Sequence, residues 1–337
     1  MRKKLAVIMG GYSSEYQVSV KSGQNIFDSI DKNRYEAFRI ELSQNGIEAW
    51  DENGNEISFE WREMSIRKKS KFIKIELIFN LVHGHPGENG NLAMHWENLA
   101  IPYTSSAPGP SALTFHKAWT NGVVSRMGVR VPKAILVQIS EDHDNLLSKV
   151  ESFTFPIFIK PSRSGSSFGI SKVKSLNNLE TAIKIASKED KSIVIEECVS
   201  GVEVACGLFK SNNQIQITGI TEIIYENEFF DFEAKYNGRT EEITPANISE
   251  NSTRKIQEIS QNLYSKLELK GFCRLDFIVQ DDGSPILIEI NTIPGMTKES
   301  IIPKQLKALG LSLKDFTNLI AAETINNGKS RNFPGIF

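Results

Sequence analysis

The residues most able to do chemistry lie on one predicted hairpin in the last third of the chain. Asp276 and Glu289 stand on two segments that alternate apolar and polar residues, which is typical of strands with one buried face. The dipeptide Asp282-Gly283 between the segments is a strong signal for a two-residue turn. A turn centred there places the Asp276 carboxylate directly opposite the Glu289 carboxylate. Because facing carboxylates repel each other, this pattern indicates a cation between them.

The same turn places Arg274 opposite Asn291, on the faces that carry the two carboxylates. Aspartate, glutamate and asparagine offer only hard oxygen ligands, which suit magnesium and leave coordination positions for water and phosphate oxygens. The hairpin therefore predicts a magnesium site that handles phosphate groups. A solvated polar face on an edge hairpin is the alternative that the pattern leaves open.

Composition narrows the class of protein. The chain has 337 residues, of which 24% are charged, and a net charge of −2. This length predicts two or three domains, and the charge balance offers no basic surface for nucleic acid or anionic membranes. No apolar run approaches the roughly 20 residues of a membrane-spanning helix, and the apolar start predicts a strand rather than a signal peptide. Three cysteines without metal spacing indicate reduced thiols, so we expect a cytoplasmic protein.

Local patterns predict an α/β chain that begins as an open sheet with its site at the strand ends. A strand over 5–9 leads to a helix over 15–30, for which Ser14 and Gln17 form a plausible capping box. The charged segment 50–71 is interpreted as an irregular surface excursion. Further strands are predicted near 35–42, 73–81, 134–138, 156–160 and 193–197, and further helices near 112–127, 176–187, 302–309 and 313–323. The region after 197 is predicted to be rich in strands.

A small-residue loop follows the predicted strand that ends at Lys160. Glycine and serine in the loop, residues 161–169, let backbone N–H groups approach an anion closely, and the lysine adds a positive charge. The motif of a Walker loop does not occur in the chain. The segment therefore indicates phosphate contact, with an ordinary hairpin loop as the alternative.

Three other segments carry weaker signals. Residues 193–204 are a strand, a short link and a strand, an arrangement that binds an adenine edge in some proteins, although solvated glutamates explain it as well. Residues 83–90 place His83 at a rigid turn, without a third ligand for zinc; Glu88 either orients His83 or caps the next helix. Residues 231–238 either close over a site as a lid or form a surface loop.

Together with Gly10-Gly11 and Glu15, these segments resemble the ATP-grasp superfamily and, within it, the D-alanine–D-alanine ligases, in order over nearly the whole chain. The resemblance implies an N-terminal α/β substrate-binding domain with an open parallel sheet, followed by a two-subdomain ATP-grasp fold. The expected boundaries are 1–105, 106–196 for the central subdomain and 197–337 for the C-terminal subdomain. It also implies ATP, two magnesium or manganese ions, a homodimer, and ligation of two D-alanines through D-alanyl phosphate for peptidoglycan precursors.

The resemblance implies a role for each matching residue. The nucleotide contacts are Lys117, Lys160, Ser167, Glu196, Glu197, Val199, Glu203 and Lys235. The metal ligands are Asp276, Glu289 and Asn291, with Glu289 bridging two ions. The residues for substrate binding and catalysis are Glu15, which holds the ammonium of the first D-alanine, His83 near it, Arg274 and the Gly295 N–H as donors to the intermediates, Ser300 and Lys235 for the second carboxylate, and Ser166 and Tyr236, which latch the lid with Glu15.

Three other functions compete with this one. A sister ligase would use D-lactate or D-serine as the acceptor; Tyr236 argues against lactate, whereas serine is less easily excluded. A different ATP-grasp carboxylate–amine ligase is disfavoured by Glu15 together with Lys235-Tyr236. A nucleotide-binding regulatory protein without turnover is disfavoured by the intact charged residues of the site.

Overall fold

The computed structural model describes residues 2–68, 71–141, 143–225 and 240–329. Its N-terminal region consists of β1 (Lys3–Gly10), α1 (Tyr16–Ser29), β2 (Tyr35–Ser43), β3 (Gly46–Trp50), β4 (Ser58–Glu60), β5 (Ser65–Lys68), β6 (Lys71–Lys74), β7 (Leu77–Asn80) and α2 (Asn91–Asn98). One sheet has the order β3-β2-β1-β7, in which β2 and β7 run parallel to β1 and β3 is an antiparallel edge. The predicted open parallel sheet is therefore confirmed.

The segment after β3 is ordered, and its interpretation as an irregular surface excursion is wrong. Strands β4, β5 and β6 form a separate antiparallel sheet. Met64 and Ile66 are fully buried and pack with the apolar side chains of the first sheet, while Arg67 on the same strand is exposed. The predicted strand over 73–81 is also wrong as a single element, because it spans the end of β6 and all of β7, which belong to different sheets.

The central region consists of α3 (Pro108–Phe115), α4 (Lys117–Arg126), β8 (Ala134–Gln138), α5 (His143–Val150), β9 (Ile157–Pro161), β10 (Ser171–Val173), α6 (Leu179–Ala186) and β11 (Ser192–Glu197). Its four strands form an antiparallel sheet in the order β10-β9-β11-β8. The single helix predicted near 112–127 is wrong, because His116 adopts an extended conformation, with φ −97° and ψ 97°, and divides it into α3 and α4.

The C-terminal region consists of β12 (Val202–Ser211), β13 (Gln214–Tyr225), β14 (Thr240–Ile243), α7 (Glu250–Lys266), β15 (Phe272–Val279), β16 (Pro285–Asn291), α8 (Ile301–Ala308) and α9 (Leu313–Lys329). Its strands form an antiparallel sheet in the order β14-β13-β12-β15-β16. The predicted pairs are confirmed, because Asp276 pairs with Glu289 and Arg274 with Asn291. The predicted two-residue turn is wrong: Val279 pairs with Pro285, and a one-residue shift between Asp276 and Phe277 restores the predicted pairs. None of the helices in the described parts of the chain is long and apolar enough to cross a membrane.

Helix α1 begins at Tyr16 with Glu15 as its N-cap, and no side chain caps it. The predicted capping box is therefore wrong. The Ser14 hydroxyl instead donates to the carboxylate of Glu189, at 3.0 Å and 3.1 Å to its two oxygens. This contact joins the loop after β1 to the central region.

One apolar core links the two ends of the chain. Leu5 and Val7 of β1 lie in the same buried cluster as Phe272 of β15 and Phe316 of α9. Next to this cluster, the Asn25 amide of α1 donates to the Met296 carbonyl at 2.6 Å. The C-terminal segment that carries Gly295 is therefore fixed against α1.

Gly271, directly before β15, lies against the backbone of the segment before α3 and supports a prediction about stability. It has φ +68°, and a Cβ there would lie 1.6 Å from the Thr104 carbonyl oxygen. Gly310 has a similar φ, +72°, and nothing within 4 Å of its Cβ position. We expect Gly310→Ala to lower the free energy of unfolding by about 1 kcal/mol, from conformation alone. Gly271→Ala should lower it by about 3 kcal/mol or more, because backbone must also move. Urea unfolding measures both, and equal losses would contradict the close approach.

Candidate active site

A cavity of about 980 Å³ lies where the three regions meet. It collects every described residue to which the family resemblance assigns a role, namely Glu15, His83, Lys117, Lys160, Ser166, Ser167, Glu196, Glu197, Val199, Glu203, Arg274, Asp276, Glu289, Asn291, Gly295 and Ser300. Lys235, Tyr236 and the segment predicted as a lid lie outside the described residues. The sequence prediction thus names residues that converge in space, although their individual roles stay predictions.

The acidic hairpin forms one wall of the cavity. The Arg274 guanidinium binds both Asp276 carboxylate oxygens, each at 2.7 Å, and its Nη2 lies 3.8 Å from Glu289 Oε1. Burial acts to lower the pKa of Arg274, but the two carboxylates outweigh it and raise the pKa above the ordinary 12.5. Arg274 is therefore charged at every working pH.

The same wall carries three side chains with oxygen atoms that can bind a metal. The Asp276, Glu289 and Asn291 side chains line the cavity together, and Asn291 Oδ1 accepts the Ile293 N–H at 3.1 Å. Each carboxylate has lone pairs beyond those used by Arg274, since an ionised carboxylate accepts about four hydrogen bonds. Two carboxylates and an amide oxygen are the ligands that Mg²⁺ or Mn²⁺ prefers. The residues present fit such an ion.

Two lysines enter the cavity from the central region. Lys117 Nζ lies 3.3 Å from Glu289 Oε2 and donates to the Ser164 carbonyl at 2.8 Å. Lys160 is buried and forms a close ion pair with Glu196, also buried. The Nζ atoms of both lysines therefore line the cavity, each beside a carboxylate, where they can meet an anion.

The loop after β9 has an anchored base that sequence reasoning missed. The Asp190 carboxylate accepts the Arg163 backbone N–H at 3.0 Å and its guanidinium at 3.0 Å and 2.7 Å. Farther along the loop, Ser166 and Ser167 have φ +48° and +61°, a left-handed conformation that costs free energy in non-glycine residues. Arg163 stood in the predicted loop, but nothing in the sequence indicated Asp190 as its partner.

Glu15 reaches this loop from the first helix. Ser166 Oγ donates to Glu15 Oε1 at 2.5 Å, so two members of the predicted trio are hydrogen-bonded; the third, Tyr236, is outside the described residues. The other carboxylate oxygen, Oε2, is buried without a hydrogen-bond partner among the described residues. A buried unpaired carboxylate oxygen is costly, which makes this position suitable for an ammonium ligand. Gly165 leaves space for it, because a Cβ there would lie 2.3 Å from Oε2.

His83 and Glu88 are buried close enough to Glu15 for its charge to act on both. Burial lowers the pKa of His83 below its ordinary 6.5, so the ring is neutral at physiological pH, and its Nε2 lies 3.3 Å from Ser22 Oγ. Glu88 does not cap α2, whose N-cap is Gly90; its carboxylate accepts the Gly84 N–H at 2.7 Å. Burial, reinforced by the charge of Glu15, raises the pKa of Glu88 to about 8. Glu88 is therefore mostly protonated at neutral pH.

This raised pKa predicts how Glu88→Gln changes stability with pH. A carboxyl whose pKa rises from 4.5 to about 8 on folding takes up a proton when the chain folds. Its contribution to stability is complete below pH 4.5 and is lost as the pH rises through about 8. Glutamine mimics the neutral form at every pH. We therefore expect Glu88→Gln to gain stability relative to wild type as the pH rises through this window, measured by urea unfolding; parallel pH profiles would contradict the assignment.

Three other predicted residues, Glu197, Glu203 and Ser300, also line the cavity. Glu197 Oε1 accepts the Lys133 N–H at 2.7 Å, and Glu203 lies beside Tyr225, a residue that sequence reasoning missed. Burial, with the charge of Glu203, raises the pKa of the Tyr225 phenol above its ordinary 10.0. Ser300 Oγ accepts the Thr297 N–H at 3.0 Å.

Comparison with known proteins agrees with this arrangement. A family model described as the D-ala D-ala ligase N-terminus matches residues 4–106, and one described as the D-ala D-ala ligase C-terminus matches residues 123–321. A curated protein named D-alanine--D-alanine ligase from Flavobacterium johnsoniae is 42% identical over 320 residues, covering 94% of this chain and 98% of the relative.

Two solved structures of ligases also resemble this chain. The VanG D-Ala:D-Ser ligase from Enterococcus faecalis has 30% identity and a TM-score of 0.84, covering 96% of this chain and all, 100%, of that one. The D-alanine--D-alanine ligase from Bacillus anthracis complexed with ATP has 28% identity and a TM-score of 0.78, covering 98% of this chain and 100% of that one. The predicted fold class, the resemblance and the prediction of a ligase enzyme are confirmed. The chain belongs to the D-alanine–D-alanine ligase family.

Proposed function

We propose that this protein joins two D-alanines into D-alanyl-D-alanine at the expense of ATP, in the supply of peptidoglycan precursors. The observation that carries the proposal is the meeting of two sites in one cavity. Lys117 and Lys160 are suited to phosphates, as is the acidic hairpin when it holds metal ions. The Glu15 carboxylate oxygen without a partner among the described residues is suited to an ammonium group. An amino acid held by Glu15 would therefore lie beside a bound nucleotide.

The first step activates a poor electrophile. A carboxylate oxygen of the first D-alanine attacks the γ-phosphorus of ATP, the bond to the β-phosphate oxygen breaks, and D-alanyl phosphate and ADP form. Glu15 holds the ammonium group of this D-alanine, and Lys117 and Lys160 neutralise charge on the phosphates. Ser166 and Ser167, in the loop after β9, cover the phosphates, while Glu196, Glu197, Val199 and Glu203 contact the adenine and ribose. The carboxylate becomes an acyl donor with phosphate as leaving group.

Asp276, Glu289 and Asn291 would hold two magnesium or manganese ions, with Glu289 shared between them. When bound, the ions supply neutralisation of phosphate charge and alignment of the transferred group. The donor set supports this assignment because all three side chains line the cavity on the wall that faces Lys117.

The second step forms the peptide bond. The amino group of the second D-alanine, after losing a proton, attacks the acyl carbon, and the tetrahedral intermediate collapses with loss of inorganic phosphate. Arg274 and the N–H of Gly295 donate to the oxygen that gains negative charge. Ser300 and Lys235 bind the carboxylate of the second D-alanine. Closure of Tyr236 over Glu15 and Ser166 excludes water, which would otherwise hydrolyse the acyl phosphate.

The organisation of the chain follows the same proposal. Residues 1–105 form the substrate-binding domain, 106–196 the central ATP-grasp subdomain and 197–337 the C-terminal one. The protein acts in the cytoplasm as a homodimer and binds neither nucleic acid nor membranes. The net charge of −2 supports the absence of nucleic-acid and membrane binding, and the small-molecule chemistry of the cavity is consistent with it.

The test is a reaction of purified protein with ATP, Mg²⁺ and D-alanine. We expect equal amounts of inorganic phosphate and D-alanyl-D-alanine, and no phosphate when L-alanine replaces D-alanine. ATP hydrolysis without dipeptide would contradict the proposal.

D-Serine is the second candidate acceptor, because a structure 30% identical to this chain is a D-Ala:D-Ser ligase. With D-alanine, D-serine and D-lactate present together, we expect D-alanyl-D-alanine to be the main product. A preference for D-alanyl-D-serine would assign the chain to the second function.

A further inference from the structure

His116 lies between α3 and α4, buried and outside the set of residues with a predicted role. We propose that His116 is a positioning residue for the nucleotide: its neutral ring holds the start of α4 so that Lys117 reaches the phosphates. The inference rests on the proposed function, because that function places ATP against Lys117.

The ring of His116 acts as the N-cap of α4. Its Nδ1 accepts the backbone N–H of Trp119 at 3.4 Å, a role usually filled by serine, threonine, aspartate or asparagine. A backbone N–H can only donate, so Nδ1 carries the lone pair and the ring proton is on Nε2. The imidazole also stacks on the Trp119 indole, with ring centres 4.1 Å apart and planes 5° apart.

The same nitrogen connects α4 to the loop after β9. Ser162 Oγ lies 2.9 Å from His116 Nδ1, and the Ser162 carbonyl accepts the Lys117 N–H at 2.9 Å. Both contacts fix Lys117, the first residue of α4, against the start of the loop after β9. From that position Lys117 donates to Ser164 and lies 3.3 Å from Glu289. If the first turn of α4 shifted, the Lys117 ammonium would therefore move relative to the acidic hairpin.

Protonation would break this arrangement. Burial lowers the pKa of His116 below 6.5; the charges of Arg163 and Lys117 lower it further, and that of Asp190 raises it. A proton on Nδ1 would leave the Trp119 N–H without an acceptor and add positive charge beside Arg163 and Lys117. The neutral form is favoured by folding, so its contribution is complete above pH 6.5 and is lost as the pH falls through the lowered pKa.

The test measures the Kd of adenylyl imidodiphosphate with Mg²⁺, in the absence of D-alanine, for wild type, H116A and H116N. At pH 8 we expect H116A to bind the analogue about 5- to 30-fold more weakly, the effect of losing one cap and its contacts. Asparagine caps helices well and does not titrate. H116N should therefore bind within about twofold of wild type at pH 8 and lack the additional weakening of wild type on acidification.

A second readout needs no nucleotide. The ring C–H resonance of His116, identified by NMR through its loss in H116N, should titrate below pH 6.5. S249A is the matched control, because Ser249 caps α7 by accepting the Ser252 N–H and lies outside the cavity lining. S249A should lower the free energy of unfolding and leave the Kd of the analogue unchanged. This result would show that weaker nucleotide binding follows from loss of the α4 cap and not from loss of any helix cap.

Each outcome decides between the two proposals. If wild type binds the analogue and H116A binds equally well, or if H116N weakens on acidification as much as wild type, His116 does not position the nucleotide. If wild type binds no analogue, the proposed function is wrong and this inference falls with it. Should H116A fail to fold, the comparison of H116N with wild type across pH and the NMR titration still decide the question.

Discussion

Glu289→Gln is expected to leave the protein folded and to lower kcat more than about a thousandfold, which corresponds to about 4 kcal/mol in the barrier. The side chain is 30% exposed, so an almost isosteric amide leaves packing intact. The charge that it removes faces Asp276 across the hairpin and lies 3.3 Å from Lys117 Nζ. Without it, the side chains that would hold the metal ions lose one of two carboxylates, and Arg274 and Lys117 lose a negative neighbour.

The measurement is steady-state phosphate release with saturating ATP, D-alanine and Mg²⁺, together with a urea unfolding curve. Glu242→Gln is the matched control, because Glu242 also lines the cavity but pairs with Lys304 at 3.1 Å. The control should retain activity within about tenfold. If Glu289→Gln lost less than about tenfold, a barrier change below roughly 1.4 kcal/mol, the assignment of the metal site would be wrong.

Glu15→Gln should weaken D-alanine binding about 10- to 100-fold, the value of a hydrogen bond to a charged partner, and leave nucleotide binding within about twofold. The glutamine oxygen still accepts from Ser166 Oγ, but no charge remains for an ammonium. The residues proposed to contact the nucleotide are on other elements, so the two affinities should separate.

Ser14→Ala provides the control for Glu15→Gln. Ser14 is adjacent in sequence and contacts Glu189, so its loss perturbs the same junction without removing charge. We expect unchanged D-alanine affinity in this variant. Calorimetric titration with D-alanine and with an ATP analogue measures both affinities, and a large loss of nucleotide affinity in Glu15→Gln would contradict the separation of the two sites.

The acidic hairpin could be predicted from sequence because its determinants are local. Two strands that alternate apolar and polar residues flank a turn that contains Gly283, and the pairing of Asp276 with Glu289 follows to within one residue. The one-residue shift between Asp276 and Phe277, which completes this pairing, had no signal in the sequence. Motif resemblance then connected segments far apart in sequence, and the cavity collects their residues.

Other features depend on partners that the sequence does not reveal. Asp190 contacts Arg163, and His116 contacts Ser162, at the start of the loop after β9. These partners are far apart in sequence, and only the tertiary fold brings them together. Helix α7 was missed because most of its residues are polar and its buried apolar stripe is narrow, including Ile256 and Leu263. The sheet of β4, β5 and β6 was missed because its strands are short and carry exposed charges such as Arg67, so no extended alternation of apolar and polar residues marks them.

The proposed reaction requires that the protein phosphorylate the carboxylate of D-alanine before the peptide bond forms. D-Alanine labelled with ¹⁸O in both carboxylate oxygens tests it directly, with ATP, Mg²⁺ and unlabelled water. The carboxylate oxygen that attacks the γ-phosphorus leaves with the phosphate, so mass spectrometry should find inorganic phosphate carrying one ¹⁸O for each dipeptide formed. Unlabelled phosphate released together with dipeptide would contradict the account, because no acyl phosphate could then have formed on the reaction path.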